Sequence, residues 1–463
     1  MKTPSNSHHI SQAWVEYILT QYECKKVPET VLTVKYFTIS KATKPGESFN
    51  AELVKMDVTA KLKRGDSGPS TEKLYNLIVK FLSQDPFNRE MIRSVGYHKK
   101  EYQMYSEVLP KLNQFQASRT NNAFPIFVPE FIYGKCTRKE YVLVIENMKD
   151  SGYGTSPKGK GLNVEQVYLA LERIAWLHGV SYAYNKHHDF LCEFPNYTFS
   201  KKISKLFKHL VLTSVENVIP FLQSQEGYED IAEKLKTGKE KLPEKFHALW
   251  EDQSRHAILC LTHGDFWCSN LLFNPPEGSP EHLAIIDWQI SQWNSPIFDI
   301  QYLFATSATN ELLCFHLQEF LQHYHRIFIN VTKTLEAPVP NYSFEEFHTE
   351  FKRLSLVGLL MGITVIQGTL SKAGEKINPP QTINPSFCSC THLKNHILSL
   401  VAKIVIPFAL RPSGKCILKL SIKKLLDPIG RELLEGKNEE MNERLLEHIK
   451  EGHRKRLLDV LNM

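Results

Sequence analysis

The segment LTHGDFWCSNLLF, residues 261–273, sets an acid at Asp265 and an amide at Asn270, five residues apart, between two apolar strand-like runs. Phosphoryl transfer to an alcohol needs a carboxylate that orients the hydroxyl and takes its proton, oxygen ligands for a hard cation, and cationic groups on the phosphates. An HxDxxxxN loop supplies the first two, with Asp265 as base and Asn270 as a ligand of Mg2+ through its amide oxygen. A second metal-ligating acid stands at Asp287, where the apolar run LAIID ends. The runs NLLF and LAIID are joined by a Pro/Gly turn, so a hairpin returns Asp287 to Asn270. An acid at the end of a buried run calls for a partner, and a metal provides one. Asp299 in NSPIFDIQYLF precedes another apolar helix. It reads as structural, either bonded to the backbone of the catalytic loop or capping its helix, and His263 supports the same loop.

The phosphate side lies upstream. Lys80 sits inside the apolar strand LIVKFL, where a lysine must snorkel or pair. Glu101 follows on a helix, and Glu90 and Glu107 compete with it for the pairing. A strand lysine held by a helix glutamate is a device for gripping the α- and β-phosphates of ATP. The turn KPGESFNAE (44–52) offers Gly46, Ser48 and nearby backbone amides as a cover for the phosphates. Glu146 ends YVLVIENM, where the linking backbone would meet adenine. HxDxxxxN alone recurs by chance. Its conjunction with the IDW strand, the lysine strand and the glutamate helix, in this order, is what gives it meaning. His178 in AWLHG reads as a packed core histidine. Cys388, Cys390, His392 and His396 lie within nine residues, but C-x-C-x-H is tight for one zinc tetrahedron, so zinc is not expected there.

The elements that must position these residues follow from the hydrophobic pattern. SHHISQAWVEYILTQYE is a capped amphipathic helix, and VLTVKYFTISKA, FNAELVKMDVTAKLKR and KLYNLIVKFL are three strands. A long helix is predicted from about Asn88 to Val108, then a strand pair from VPEFIYGKC and EYVLVIENM. After Asp150 the chain is mostly helical, beginning with a helix capped by Asn163. The predicted fold is therefore α+β, with a small antiparallel-sheet lobe over 1–148 and a larger, mainly helical lobe over 149–383. An irregular insertion spans 384–419 and a helical segment closes the chain over 420–463. The chain has 463 residues, is 42% hydrophobic and 23% charged, and carries a net charge of +6. That mild excess, with no concentrated basic stripe, argues against nucleic acid. No run reaches the roughly 18 apolar residues of a membrane span, and no secretory leader is visible at the start. Nine scattered cysteines fit reduced thiols and a cytoplasmic location.

THGDFWCSNLLF, AIIDWQ and SPIFDIQYLF together resemble the ecdysteroid kinase-like family of insects, within the choline kinase and aminoglycoside phosphotransferase group. The family pattern HGDxWxxNxxF, IDFQ and PxxDL is met at His263, Gly264, Asp265, Trp267, Asn270, Phe273, Asp287, Gln289, Pro296 and Asp299. Trp288 stands for its Phe and Ile300 for its Leu. YHKKEYQMYSEVLP is similar to the family's FxxExxxYxxxLP helix, which favours Glu101 over its rivals. GESFNAE looks like its phosphate turn, with Ser48 where an aromatic or Asn is usual. The resemblance covers roughly residues 10–380 and implies a bilobal, protein-kinase-like fold. It also implies ATP- and Mg2+-dependent phosphorylation of a small-molecule hydroxyl, either an ecdysteroid or a xenobiotic alcohol. Asp265 inherits the base role, Asn270 and Asp287 the metal roles, and Lys80 with Glu101 the phosphate clamp. A choline- or ethanolamine-type kinase is the rival enzyme, with Trp288 and Trp293 as candidate cation-binding faces. A silent kinase-fold binding protein is the rival of another class. No DFG or APE segment follows the loop, which argues against a protein kinase.

Overall fold

The computed structural model describes residues 2–42, 51–64, 70–157, 161–198, 200–371, 415–436, 438–455 and 457–458. Gly46, Ser48, the 384–414 part of the expected insertion and the Cys388–His396 cluster lie outside the described residues. The described residues divide into two compact units, one drawn from 2–110 and 128–153, the other from 111–127, 154–371 and 415–458.

In the first unit, helix α1 (Gln12–Lys26) starts at Ser11, whose side chain accepts from the Trp14 amide. Strands β1 (Thr30–Lys41), β2 (Ala51–Arg64) and β3 (Ser70–Leu82) form an antiparallel meander. Helix α2 (Pro86–Val95) and helix α3 (Tyr97–Gln103) follow, then β4 (Phe131–Cys136) and β5 (Tyr141–Glu146). The sheet order is β1-β2-β3-β5-β4, with every pair antiparallel. Period-two alternation explains the core. Tyr75, Leu77, Val79 and Phe81 of β3 point one way and bury with Trp14, Val15, Ile18 and Leu19 of α1. Lys80 falls in the opposite phase, across from Leu143 of β5.

The single helix expected from Asn88 to Val108 is two helices. Gly96 adopts φ 84°, a left-handed conformation that ends α2 and starts α3. From α3 the chain passes through a π-helical turn (Met104–Val108) into α4 (Leu109–Thr120). Pro110 lacks an N–H and would clash with the carbonyl four residues back, and the wider turn just before it relieves that conflict. Residues 111–127, assigned from the sequence to the first lobe, belong to the second unit. There Phe115 packs edge-on against Tyr184, with ring centroids 5.3 Å apart.

The second unit is built on α5 (Val164–His188), whose Asn163 forms a capping box with Gln166. Then come α6 (Lys201–Gln223), α7 (Glu229–Gly238) and four short strands: β6 (Cys260–Thr262), β7 (Leu271–Asn274), β8 (His282–Ile285) and β9 (Gln292–Asn294). Helices α8 (Ile297–Ser307), α9 (Asn310–Thr334), α10 (Phe344–Arg353), α11 (Ser355–Leu370), α12 (Lys415–Glu435) and α13 (Glu439–Arg454) complete it. Helix α5 packs on α9 and on β6, α6 on α12, and α11 on both α8 and α13. The glycine of AWLHGV has a packing reason, since a Cβ at Gly179 would stand 2.6 Å from Val331 Cγ1 of α9. No single described helix is long and apolar enough to cross a membrane.

Candidate active site

Two small antiparallel pairs shape the loop that carries Asp265. Strand β6 pairs with β9, and β7 pairs with β8 through a hairpin. The chain leaves β6 at Thr262 and turns at Gly264, where φ is 85° and a Cβ would lie 2.7 Å from the Ile290 carbonyl oxygen. Only glycine fits such a turn without moving backbone. Asp265 comes next, half-buried. Its Oδ1 accepts from the Tyr302 hydroxyl at 2.7 Å, and its Oδ2 accepts from Asn270 Nδ2 at 2.9 Å. The same Asn270 nitrogen also reaches the Asp265 carbonyl oxygen at 2.9 Å.

The hairpin returns the chain as its sequence predicts. The Ile286 amide donates to the Asn270 carbonyl at 3.0 Å, and Asp287 follows directly, at φ 64°. A non-glycine residue in that region is strained and is held by its surroundings. Burial, and then the negative charge of Asp287, push the Asp265 carboxyl above its ordinary range, while the Tyr302 and Asn270 hydrogen bonds oppose the rise. Two carboxylates that repel each other beside an amide oxygen fit a hard divalent cation. With Asn270 Nδ2 turned to Asp265, its amide oxygen is the end suited to the metal. Among the described residues no three His, Cys, Asp or Glu side chains form a metal cage. Mg2+, which keeps waters and takes few protein ligands, does not require one.

Asp299, in the first turn of α8, fixes the loop backbone. Its carboxylate accepts from the amides of His263 at 2.7 Å and Gly264 at 2.8 Å. His178 of α5 lies 3.0 Å from the same carboxylate through Nε2 and 2.8 Å from the Tyr324 hydroxyl through Nδ1. His178 is thus a core histidine, fully buried, that also orients Asp299. His263 takes the Asp265 amide on Nδ1 at 3.2 Å and reaches the Ile286 carbonyl with Nε2 at 2.9 Å. An acceptor role at Nδ1 places the proton on Nε2, so His263 ties the Asp265 loop to the strand end that carries Asp287. The Cys268 amide donates to Ser307 Oγ at 2.9 Å, which anchors the loop to α8 a second time.

The sequence left out Tyr302. A tyrosine in an apolar helical run reads as core, yet it stands three residues after Asp299, one turn along the same face. That offset was the available signal. Trp288 and Trp293, the candidate cation faces, are core residues instead. Trp288 is fully buried with Nε1 on the Ile285 carbonyl, and Trp293 is buried and stacks on Phe190 at 4.9 Å.

In the first unit, Lys80 Nζ stands 2.8 Å from Glu101, with side chains 13% and 4% exposed. Tyr141 Oη donates to Glu101 Oε2 at 3.4 Å. The rival Glu107 accepts from Gln103 at 3.3 Å, in a solvent-exposed contact. Glu146 closes β5, and its Oε2 accepts from the Glu130 amide at 3.3 Å.

Comparison with known proteins places these features in a family. The model of the ecdysteroid kinase-like family matches residues 45–337, well over half of the chain. Among curated proteins, an uncharacterized protein of Metamycoplasma hominis is 26% identical over 175 residues, 36% of this chain and 30% of that protein. The chain therefore spans less than a third of that relative's length. Among solved structures, choline kinase from Cryptosporidium parvum is 12% identical, with a TM-score of 0.40 over 92% of this chain and 99% of that one. The GDP complex of aminoglycoside 2'-phosphotransferase-IIIa is 10% identical, with a TM-score of 0.39 over 84% and 98%. The matched span holds Lys80, Glu101, Asp265, Asn270, Asp287 and Asp299 together, and on that match the chain belongs to the ecdysteroid kinase-like family.

Proposed function

We propose that this protein is a small-molecule kinase that moves the γ-phosphoryl group of ATP, with Mg2+, to a hydroxyl of a lipophilic alcohol, an ecdysteroid or a xenobiotic. The observation that carries this reading is Asp265. It is a carboxylate held by Tyr302 and Asn270 on a loop pinned by Asp299, with a second acid, Asp287, near enough to raise its pKa. Asp265 takes the proton of the acceptor hydroxyl as the acceptor oxygen bonds to the γ-phosphorus. The bond to the β-phosphate oxygen breaks, and its electron pair leaves on ADP. Lys80, kept in place by Glu101, neutralises the α- and β-phosphates. Asn270 and Asp287 would hold Mg2+, which when bound neutralises charge on the phosphates.

The burial of Trp288 and the stacking of Trp293 on Phe190 leave neither ring face as a cation platform, which favours a neutral acceptor over choline. A panel of ecdysone, neutral aliphatic alcohols and choline, scored by Mg2+-dependent ADP release, tests this. Turnover is expected with neutral lipophilic alcohols and not with choline, and Asp265→Asn lowers it by about 10²–10⁴-fold. Choline turnover above every neutral alcohol overturns the acceptor class. Equal ADP release from Asp265→Asn overturns the kinase reading in favour of a binding protein.

A further inference from the structure

Helix α13 buries Met441, Leu445, Ile449 and Gly452. Steps of four and three residues put them on one face, and that face packs on α11. The seat is specific. A Cβ at Gly452 would stand 2.6 Å from Leu359 Cδ1 of α11, and His448 Nε2 reaches the Leu359 carbonyl at 3.1 Å. Held in this register, α13 carries Arg444, one turn before His448, to the last turn of α8. Arg444 Nη2 donates to the Thr306 carbonyl at 2.8 Å.

The last four carbonyls of an α-helix find no partner within it. At the end of α8 two of them are taken from outside, Thr306 by Arg444 and Ser307 by the Leu162 amide at 2.7 Å. A cation is the favoured partner there, where the helix dipole is negative. The turn so held is buried and grips the loop of Asp265. The Thr306 hydroxyl donates to the Tyr302 carbonyl at 2.7 Å and lies 3.1 Å from Ser307 Oγ. Ser307 Oγ accepts the Cys268 amide at 2.9 Å, and the Tyr302 hydroxyl donates to Asp265 Oδ1 at 2.7 Å. The loop has one short 3-10 turn of its own, Cys268–Asn270, so these outside contacts decide where it sits. Another arginine of α13 shows the contrast. Arg454 pairs with Glu451 of its own helix and is 67% exposed. Arg444 lies well beyond residue 337, where the family match ends.

We propose that Arg444 is a positioning residue for the phosphoryl transfer proposed above, on which the inference rests. Its guanidinium fixes the Thr306–Ser307 turn. That turn fixes the Cys268 amide and the Tyr302 hydroxyl, and these set the place of the Asp265 carboxylate. A C-terminal helix thereby supports the catalytic loop.

The test uses the full chain with ATP, Mg2+ and the alcohol panel above. Hydrogen exchange at the Cys268 amide reports the loop without any turnover. Arg444→Ala is expected to speed that exchange and to lower kcat, each about tenfold or more, with KM for ATP unchanged. Arg444→Lys keeps a charge and a donor for the carbonyl, and restores both. Arg454→Ala leaves both at wild-type values. If Arg444→Ala does not fold, Arg444→Gln carries the same expectations. Exchange and kcat unchanged in the variant overturn the inference. So does a loss shared equally by Arg454→Ala, or one that lysine does not restore. Faster exchange with kcat unchanged confines Arg444 to stability and overturns it too. A wild-type chain that phosphorylates no alcohol of the panel overturns the kinase reading, and exchange alone then decides whether Arg444 holds the loop.

Discussion

Asp265 must be ionised to take a proton, yet burial and the charge of Asp287 favour its protonated form. The Tyr302 hydroxyl opposes them by donating to the ionised carboxylate. Removing that donor in Tyr302→Phe raises the Asp265 pKa further. The acid limb of the kcat/KM profile is then expected to move to higher pH, and a limb that stays or moves down contradicts the assignment. Asp265→Asn is expected to lower turnover by about 10²–10⁴-fold, the usual weight of a general base, with ATP affinity retained in calorimetry. Asp299→Ala leaves two loop amides and His178 facing a buried void, a loss on the order of 3–5 kcal/mol in chemical denaturation. That Asp265, Asn270 and Asp287 would come together was legible in the sequence, because a short loop and a hairpin fix their spacing. His178 was not legible as a partner of Asp299, for 121 residues separate them and only the packing of α5 against the loop brings them together.

At the scale of elements, the alternation of β3 decides more than the identity of Lys80 does. Burying Tyr75, Leu77, Val79 and Phe81 under α1 turns Lys80 to the other face, toward α3 and Glu101. A charge-assisted contact of this kind carries about 1.5–3 kcal/mol. Glu101→Gln is therefore expected to weaken ATP binding about tenfold or more by calorimetry, and Glu107→Gln, on the exposed side, to leave it unchanged. Equal effects from both would contradict the pairing. The strands were readable because period-two burial is a local pattern. The helix break at Gly96 was not, since a glycine within a helical pattern is tolerated as often as it ends one. The passage through Pro110 was hidden too, because the π-helical turn that admits the proline leaves no mark in the hydrophobic pattern.

At the scale of the molecule, two histidines, one in each unit, link stability to pH. Burial lowers His98 in the first unit to about 4, and lowers His448 of α13 in the second unit likewise to about 4. Both fold neutral and take up protons more readily when unfolded. Stability is therefore expected to fall as pH drops from the ordinary histidine value of about 6.5 toward 4, by up to about 3 kcal/mol for each group. Melting temperatures across that window check this, and His448→Gln should flatten the slope. A slope unchanged in the variant would place the pH sensitivity elsewhere. The change of pattern near residue 150 falls close to the point, 153/154, where the chain passes from the first unit to the second. The transfer of 111–127 to the second unit was not legible, because it depends on where Phe115 packs. The central claim is a single phosphoryl transfer, and phosphorus NMR of the full chain with ATP, Mg2+ and a neutral lipophilic alcohol reads it directly. The account predicts a new phosphomonoester resonance growing in step with ADP, and growing at least about a hundredfold slower with Asp265→Asn. ATP consumed to inorganic phosphate without a phosphomonoester, or a phosphomonoester formed equally by Asp265→Asn, would contradict it.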